Sequence, residues 1–272
     1  MIKEKIFSIF KRGSRTYFYC SLFFPENVKS DVFTLYSFVR TADNFVDALP
    51  QQRVEFLAFR KKFEASMSGI HTEDLVIDSF TALMKKKNFK TEWVTQFLDA
   101  MEQDLIQKTY HTLADVEKYM YGSAEVIGLM MAKILGLPTA AYSSAQYLGK
   151  SMQYVNFIRD ISEDLTLGRT YFPQDEIRKF GLTSLERAET QKKSKEFSAF
   201  MRAQIAYHKK WSALGEKGFS SIPKRYLIPI KTANDLYTWT AQRISENPAI
   251  VYEKKMKPST LRILVTLVKN FL

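Results

Sequence analysis

Two aspartate pairs, Asp43/Asp47 in FVRTADNFVD and Asp160/Asp164 in QYVNFIRDISED, sit in strongly apolar stretches, each with an arginine just upstream, Arg40 and Arg159. Four residues of an α-helix turn through about 400°, so both carboxylates of a pair project from one face about one turn apart. Oxygen donors so placed suit magnesium, which takes one or two carboxylates and fills its remaining octahedral positions with water and substrate phosphate oxygens. Two such surfaces facing each other predict a diphosphate site. A third pair, Asp74/Asp78 in HTEDLVIDSF, has the same spacing. There Thr72 reads as an N-cap, and acids in a first helical turn answer to the helix dipole.

Context separates the first two pairs from the third. Gln153, Asn156, Asp160 and Asp164 follow one another at spacings of three, four and four, interleaved with Tyr154, Val155, Phe157, Ile158 and Ile161. Tyr36, Arg40, Asp43 and Asp47 repeat the arrangement among Leu35, Phe38, Val39, Phe45 and Val46. A polar stripe on an otherwise apolar helix is costly to bury unless ions, hydrogen bonds or water satisfy it.

The elements that must carry these stripes are helical. Apolar spacing of three and four runs through almost every long segment, and sustained alternation of the kind strands require is missing, so the expected fold class is all-α. Helices are predicted over about 28 to 48, 51 to 67, 72 to 86, 91 to 108, 113 to 135, 138 to 165, 183 to 217, 225 to 246 and 259 to 271, with breaks at Pro25, Pro50, Pro138 and Pro173. No low-complexity linker divides the chain, so one domain over 1–272 is the expectation. Gly122, Ala124 and Gly128 leave room along one helix, for a neighbouring helix or for a long apolar ligand. In LGRTYFPQDEI, Arg169 and Tyr171 follow a glycine and precede Pro173, where a loop can fold a cation back over the acidic site.

Forty Lys and Arg against 29 Asp and Glu give a net charge of +11, which favours anionic partners such as diphosphates or acidic lipids. The basic residues form short clusters, Lys85 to Lys87, Lys192/Lys193/Lys195 and Lys254/Lys255/Lys257, rather than a helix interleaved with aromatics, which speaks against nucleic acid as a partner. The single cysteine, Cys20, excludes an internal disulfide and fits a small core filler. His71, His111 and His208 lie far apart and lack zinc-ligand spacing. No apolar run reaches the roughly 18 to 20 residues that span a bilayer. A cytoplasmic location is expected, with the amphipathic tail STLRILVTLVKNFL docking on the core as the favoured reading and lying peripherally on a membrane surface as the alternative.

At SRTYFY (14 to 19), YSFVRTADNFVD (36 to 47), YMYGSAEVIG (119 to 128) and QYVNFIRDISEDLTLGRTYFP (153 to 173), the chain resembles the squalene and phytoene synthase family of head-to-head prenyl transferases. The resemblance spans roughly residues 13 to 260. It implies the isoprenoid-synthase helical bundle, with two acidic helices facing across a central apolar cavity. Asp43, Asp47, Asp160 and Asp164 would ligate Mg2+, with Mn2+ as a substitute, and bridge to prenyl diphosphates. Ser14, Arg15, Thr16, Arg40, Arg159 and Arg169 would lie near diphosphate oxygens. Tyr36, Tyr119, Gln153, Asn156 and Tyr171 would line the reaction centre, and Tyr237 and Lys255 join them from the C-terminal region.

The activity so implied is joining of two geranylgeranyl diphosphates to phytoene through a cyclopropylcarbinyl diphosphate. The alternatives are a farnesyl-using dehydrosqualene or squalene synthase, the last needing NADPH, then a prenyl diphosphate hydrolase and a non-catalytic assembly factor. Oligomeric state stays open. One departure from the family pattern is Glu125, an acid where many relatives carry a small residue; it would crowd the cavity, face away from it, sit near its mouth or pair with a lysine outside.

Overall fold

The computed structural model describes residues 4–272. Among them are fifteen α-helices and no strand. Helix α1 (Glu4–Gly13) leads into α2 (Arg15–Ser21), α3 (Glu26–Asp47), α4 (Arg53–Met67), α5 (Leu75–Lys87) and α6 (Thr91–Asp104). Then come α7 (Leu113–Met120), α8 (Val126–Ile134), α9 (Tyr142–Arg159), α10 (Ile161–Thr166) and α11 (Gln174–Lys179). The chain closes with α12 (Arg187–Lys192), α13 (Ser194–Glu216), α14 (Lys224–Glu246) and α15 (Thr260–Phe271). Helix α9 is central, packed by α8, α13 and α14, and the buried apolar side chains form one continuous core.

The structure departs from the sequence reading at five points. Helices α1 and α2 precede the first predicted helix; they are separate because Ser14 is extended and its side chain accepts from the Tyr17 backbone N–H at 3.3 Å, starting a new helix. The stretch 113 to 135 is interrupted at Tyr121–Glu125 by one wide turn, in which the Val126 N–H reaches back to the Tyr121 carbonyl. The stretch 138 to 165 breaks at Asp160, and the stretch 183 to 217 breaks at Lys193. Finally, α5 is capped by Asp74, whose carboxylate accepts from Val76 N at 3.0 Å, not by Thr72. The Thr72 hydroxyl instead donates to Asp78 at 2.8 Å. Asp74/Asp78 is thus a helix-start device, as its context suggested.

Small residues set how closely the central helices approach. A Cβ on Gly122 would collide with the Gln96 carbonyl of α6 and lie 2.9 Å from Ala100 Cβ, and one on Gly149 would collide with the Ala124 carbonyl. The glycines therefore admit neighbouring helices. Gly128 does so too, meeting the Ala145 carbonyl of α9, yet it also lines the central cavity. The loops after α6 and α10 are zipped together by Thr170 N–H to Lys108 O at 2.8 Å and Gln174 N–H to Tyr110 O at 2.9 Å, which fixes the segment carrying Arg169 and Tyr171.

Substituting Gly122 by Val tests the close approach. Relief of glycine's conformational freedom would favour the variant, but the clash with Gln96 outweighs it, and urea unfolding should show a loss of about 1–3 kcal/mol.

Candidate active site

One cavity of about 790 Å³ is walled by α2, α3, α8, α9 and α14. Every candidate residue named from the sequence lines it: Ser14, Arg15, Thr16, Tyr36, Arg40, Asp43, Asp47, Tyr119, Gln153, Asn156, Arg159, Asp160, Asp164, Arg169, Tyr171, Tyr237 and Lys255. They gather at one end. From there the cavity follows α9 over its length, which for 18 residues is roughly 27 Å at 1.5 Å per residue. Its distal wall is built from Leu137, Ala141, Ser144, Ala145, Leu148, Gly215 and Gly218.

The carboxylates meet across Arg169. Its Nη2 lies 2.6 Å from Asp47 Oδ1 and its Nε 3.2 Å from Asp164 Oδ1, so a single guanidinium joins α3 to α10. Asp160 is gripped by Arg159 through two bonds of 2.7 and 2.6 Å and approached by Lys255 at 3.2 Å. Lys255 also pairs with Glu163. The helix break at Asp160 does not scatter the second stripe, because Asp164 N–H still bonds the Asp160 carbonyl at 2.9 Å and both side chains reach the cavity.

Negative charge here is under-compensated. Burial, then the neighbouring Asp47, push the Asp43 carboxyl up to about 7 against the pull of Arg40. Burial likewise pushes Asp164 up to about 8, with Arg169 opposing and Asp160 adding to the rise. Among the buried polar atoms without a partner in the described residues are Arg169 Nη1 and Asn156 Oδ1. Crowded carboxylates call for a cation, and an orphaned guanidinium N–H calls for an anionic oxygen. Among the described residues no three acidic, histidine or cysteine groups converge closely enough to hold an ion as the side chains stand. Protein cations stand among them instead. The donor set is all carboxylate oxygen, the chemistry that fits Mg2+, with Asp43, Asp47, Asp160 and Asp164 as the residues that would hold it.

The aromatic wall holds a residue that the sequence reading missed. Asp104, at the end of α6, is 3% exposed and accepts from Tyr119 Oη at 2.7 Å and Tyr171 Oη at 2.9 Å. With both phenol protons given to one carboxylate, the phenol lone pairs are free to turn toward the cavity. The Tyr171 ring stacks on Phe157 with centroids 4.2 Å apart, fixing its orientation. Burial pushes Asp104 up to about 6, while Arg169 and the two phenols hold it down. A signal was present: Phe97, Met101 and Asp104 share the buried register of α6, where an acid is out of place. Tyr17 was also passed over within SRTYFY; it lines the cavity with its ring 5.6 Å from that of Tyr237.

Other expectations resolve simply. Ser14 lines the cavity and also caps α2. Glu125 faces away from the cavity, paired with Lys150 at 2.8 Å and accepting from Gln146 at 3.3 Å. Cys20 lines the cavity as a buried thiol pushed up to about 12 by burial, so it is inert. His208 is buried with Nδ1 3.1 Å from the Ser151 carbonyl, and burial pushes it down to about 4.

Known structures share this all-α fold. A dehydrosqualene synthase crystallised with a ligand superposes with a TM-score of 0.87 at 20% identity, covering 98% of this chain and 94% of that one. A squalene synthase from Alicyclobacillus acidocaldarius superposes at 0.75 with 20% identity, covering 89% and 93%. In sequence, the 15-cis-phytoene synthase of Paracoccus sp. is 24% identical over 91% of this chain and 84% of its own length. That of Enterobacter agglomerans is 25% identical over 94% and 90%. A family model described as Squalene/phytoene synthase matches residues 10–264. The chain belongs to the squalene/phytoene synthase family.

Two predictions follow from the charges. Asp43 and Asp164 bind protons more tightly in the fold than in the unfolded chain, so ionising them opposes folding. The metal-free protein should gain stability as pH falls from about 9 toward 7. Below 6.5 the neutral buried His208 offsets part of this gain without reversing it, because the unfolded histidine takes up one proton that the folded one refuses while both aspartates still hold theirs only in the fold. Melting temperatures across this range check both limbs, and Asp43→Asn with Asp164→Asn should flatten the alkaline one. Separately, Asp104→Asn would present an amide N–H to one phenol oxygen and turn that hydroxyl into the cavity; turnover should fall about 10- to 100-fold with KM nearly unchanged.

Proposed function

We propose that this chain joins two molecules of geranylgeranyl diphosphate head to head in a magnesium-dependent reaction that yields phytoene. The observation that carries this reading is the cavity itself: carboxylates and guanidinium groups at one end, and an apolar tunnel running the length of α9 whose far wall sets Ala141, Ser144, Ala145, Gly215 and Gly218 beside Leu137 and Leu148. Small residues at the far end leave room for a long prenyl chain, and several relatives bear the name phytoene synthase.

Bound magnesium supplies positive charge to the departing diphosphate. The chain's own residues do the rest. Arg169, through its unpartnered Nη1, offers a charge-assisted hydrogen bond to a diphosphate oxygen, and Arg40, Arg159 and Lys255 surround the same end of the cavity. The allylic C–O bond breaks with its electron pair leaving on diphosphate. The double bond of the second substrate attacks the cation, and loss of a proton closes the cyclopropane. A second C–O cleavage, rearrangement and a final proton loss give the hydrocarbon. Tyr119 and Tyr171, their protons held by Asp104, face the cation with oxygen lone pairs, and Phe157 and Tyr36 add aromatic faces. The apolar walls keep out the water that would convert the cation to an alcohol.

Purified protein incubated with magnesium and either geranylgeranyl or farnesyl diphosphate, with and without NADPH, should give phytoene from the former without NADPH. Dehydrosqualene or squalene from farnesyl diphosphate alone would overturn the chain-length reading, and alcohol with free diphosphate would mark a hydrolase. Asp43→Asn and Asp160→Asn should each lower turnover by about 10²- to 10³-fold. Unchanged turnover in both would remove the acidic pairs from the chemistry.

A further inference from the structure

The last helix has two apolar faces, and only one is used. Ile263 and Leu267 of α15 are buried, and Asn270 bonds Thr232 at 3.1 Å and Asp235 at 2.7 Å on α14. Successive residues advance about 100° around the helix, which places Leu261, Leu264, Val265, Val268, Phe271 and Leu272 on the opposite arc. These six are exposed, Val265 by 59%, Val268 by 60% and Phe271 by 66%. Leu22 and Phe23, which leave the end of α2 beside α15, are exposed as well. An apolar surface of this extent is not what water alone selects.

Within this helix and the strap that leads into it, charge is of one sign. From Lys254 to Leu272 the chain carries Lys254, Lys255, Lys257, Arg262 and Lys269 and not one acid. Arg262 and Lys269 fall on one flank of the outward arc, and the Arg262 guanidinium is steadied by the Trp239 ring at 4.7 Å. Among the described residues no helix is long and apolar enough to cross a membrane. We infer that α15 lies in the plane of an anionic lipid surface, with its outward Leu, Val and Phe side chains among the acyl chains and Arg262 and Lys269 at the headgroups. A second copy of the chain is the weaker occupant, because a two-fold contact through this face would bring the cationic flanks together without an acidic counterpart.

Position in the fold gives the docking a purpose. Tyr17, Cys20 and Ser21 of α2 and Pro229, Ile230 and Ala233 of α14 line the cavity, while these same two helices carry α15 on their outer side. Lys255 and Lys257, at the acidic end of the cavity, begin the strap that leads into α15. Lipid bound to α15 therefore lies one helix layer from the apolar tunnel, the distance a prenyl chain or hydrocarbon product would have to cross.

Vesicle flotation tests the inference without reading turnover, so its failure is distinct from failure of the proposed reaction. The whole chain should float with phosphatidylcholine vesicles containing phosphatidylglycerol and far less with phosphatidylcholine alone. Leu261→Ser/Val265→Ser/Val268→Ser should weaken binding about tenfold or more while its circular dichroism and melting temperature match the parent. Arg262→Gln/Lys269→Gln, which leaves the apolar arc intact, should weaken binding to the anionic vesicles about fivefold for each charge removed. Wild-type protein that stays in the soluble fraction with anionic vesicles, or serine and glutamine variants that float unchanged, would overturn the assignment. A wild-type dimer that becomes monomeric in the serine variant, with no vesicle binding, would give the face to a second copy instead.

Discussion

Carboxylates from α3 and α10 are drawn together across the end of a low-dielectric cavity, and the Arg169 guanidinium is what lets them stay there. Without a cation, Asp43, Asp47, Asp160 and Asp164 would repel one another and pay for lost hydration; with one, they become a poised electrostatic trap. The remaining architecture serves that balance. The zipped loops hold Arg169 in place, the helix break lets Asp160 take a direct grip from Arg159, and α9 runs from the charged end to the apolar depth as a common wall.

The protein's own cations sit on the carboxylate oxygens that a divalent metal would otherwise take. Arg169 is buried yet keeps one N–H without a partner, so it is attached to the carboxylates and unfinished at once. A diphosphate oxygen would complete the guanidinium's hydrogen bonds, and a divalent metal brought with it would take over its role as counter-charge. The paired protein cations thus lower the cost of holding carboxylates in an apolar cavity while no ligand is bound.

Much of this was legible in the chain because helical periodicity maps directly onto faces. The stripes of Tyr36, Arg40, Asp43 and Asp47 and of Gln153, Asn156, Asp160 and Asp164 converge in space, and Arg169 folds back over them. What escaped depends on contacts that spacing does not encode. Asp104 shows no motif of its own; its meaning comes from Tyr119 and Tyr171, which lie 15 and 67 residues away in sequence. The capping of α2 by Ser14 and of α5 by Asp74 turns on local backbone angles that a neighbouring threonine or aspartate could equally have supplied. Glu125 was ambiguous for the same reason: only the position of Lys150 on α9 decides which way it points.

The wide turn at Tyr121–Glu125 separates two tasks that a regular helix would bind together. Upstream of it Tyr119 belongs to the ion-handling end, and downstream Ile127, Gly128 and Met131 belong to the greasy interior. One extra residue in the winding acts as a rotational slip-joint, so the azimuth of the downstream wall is set independently of the tyrosine's aim. Change in the shape of the hydrocarbon berth can then accumulate on α8 without detuning the polar chemistry a single turn away.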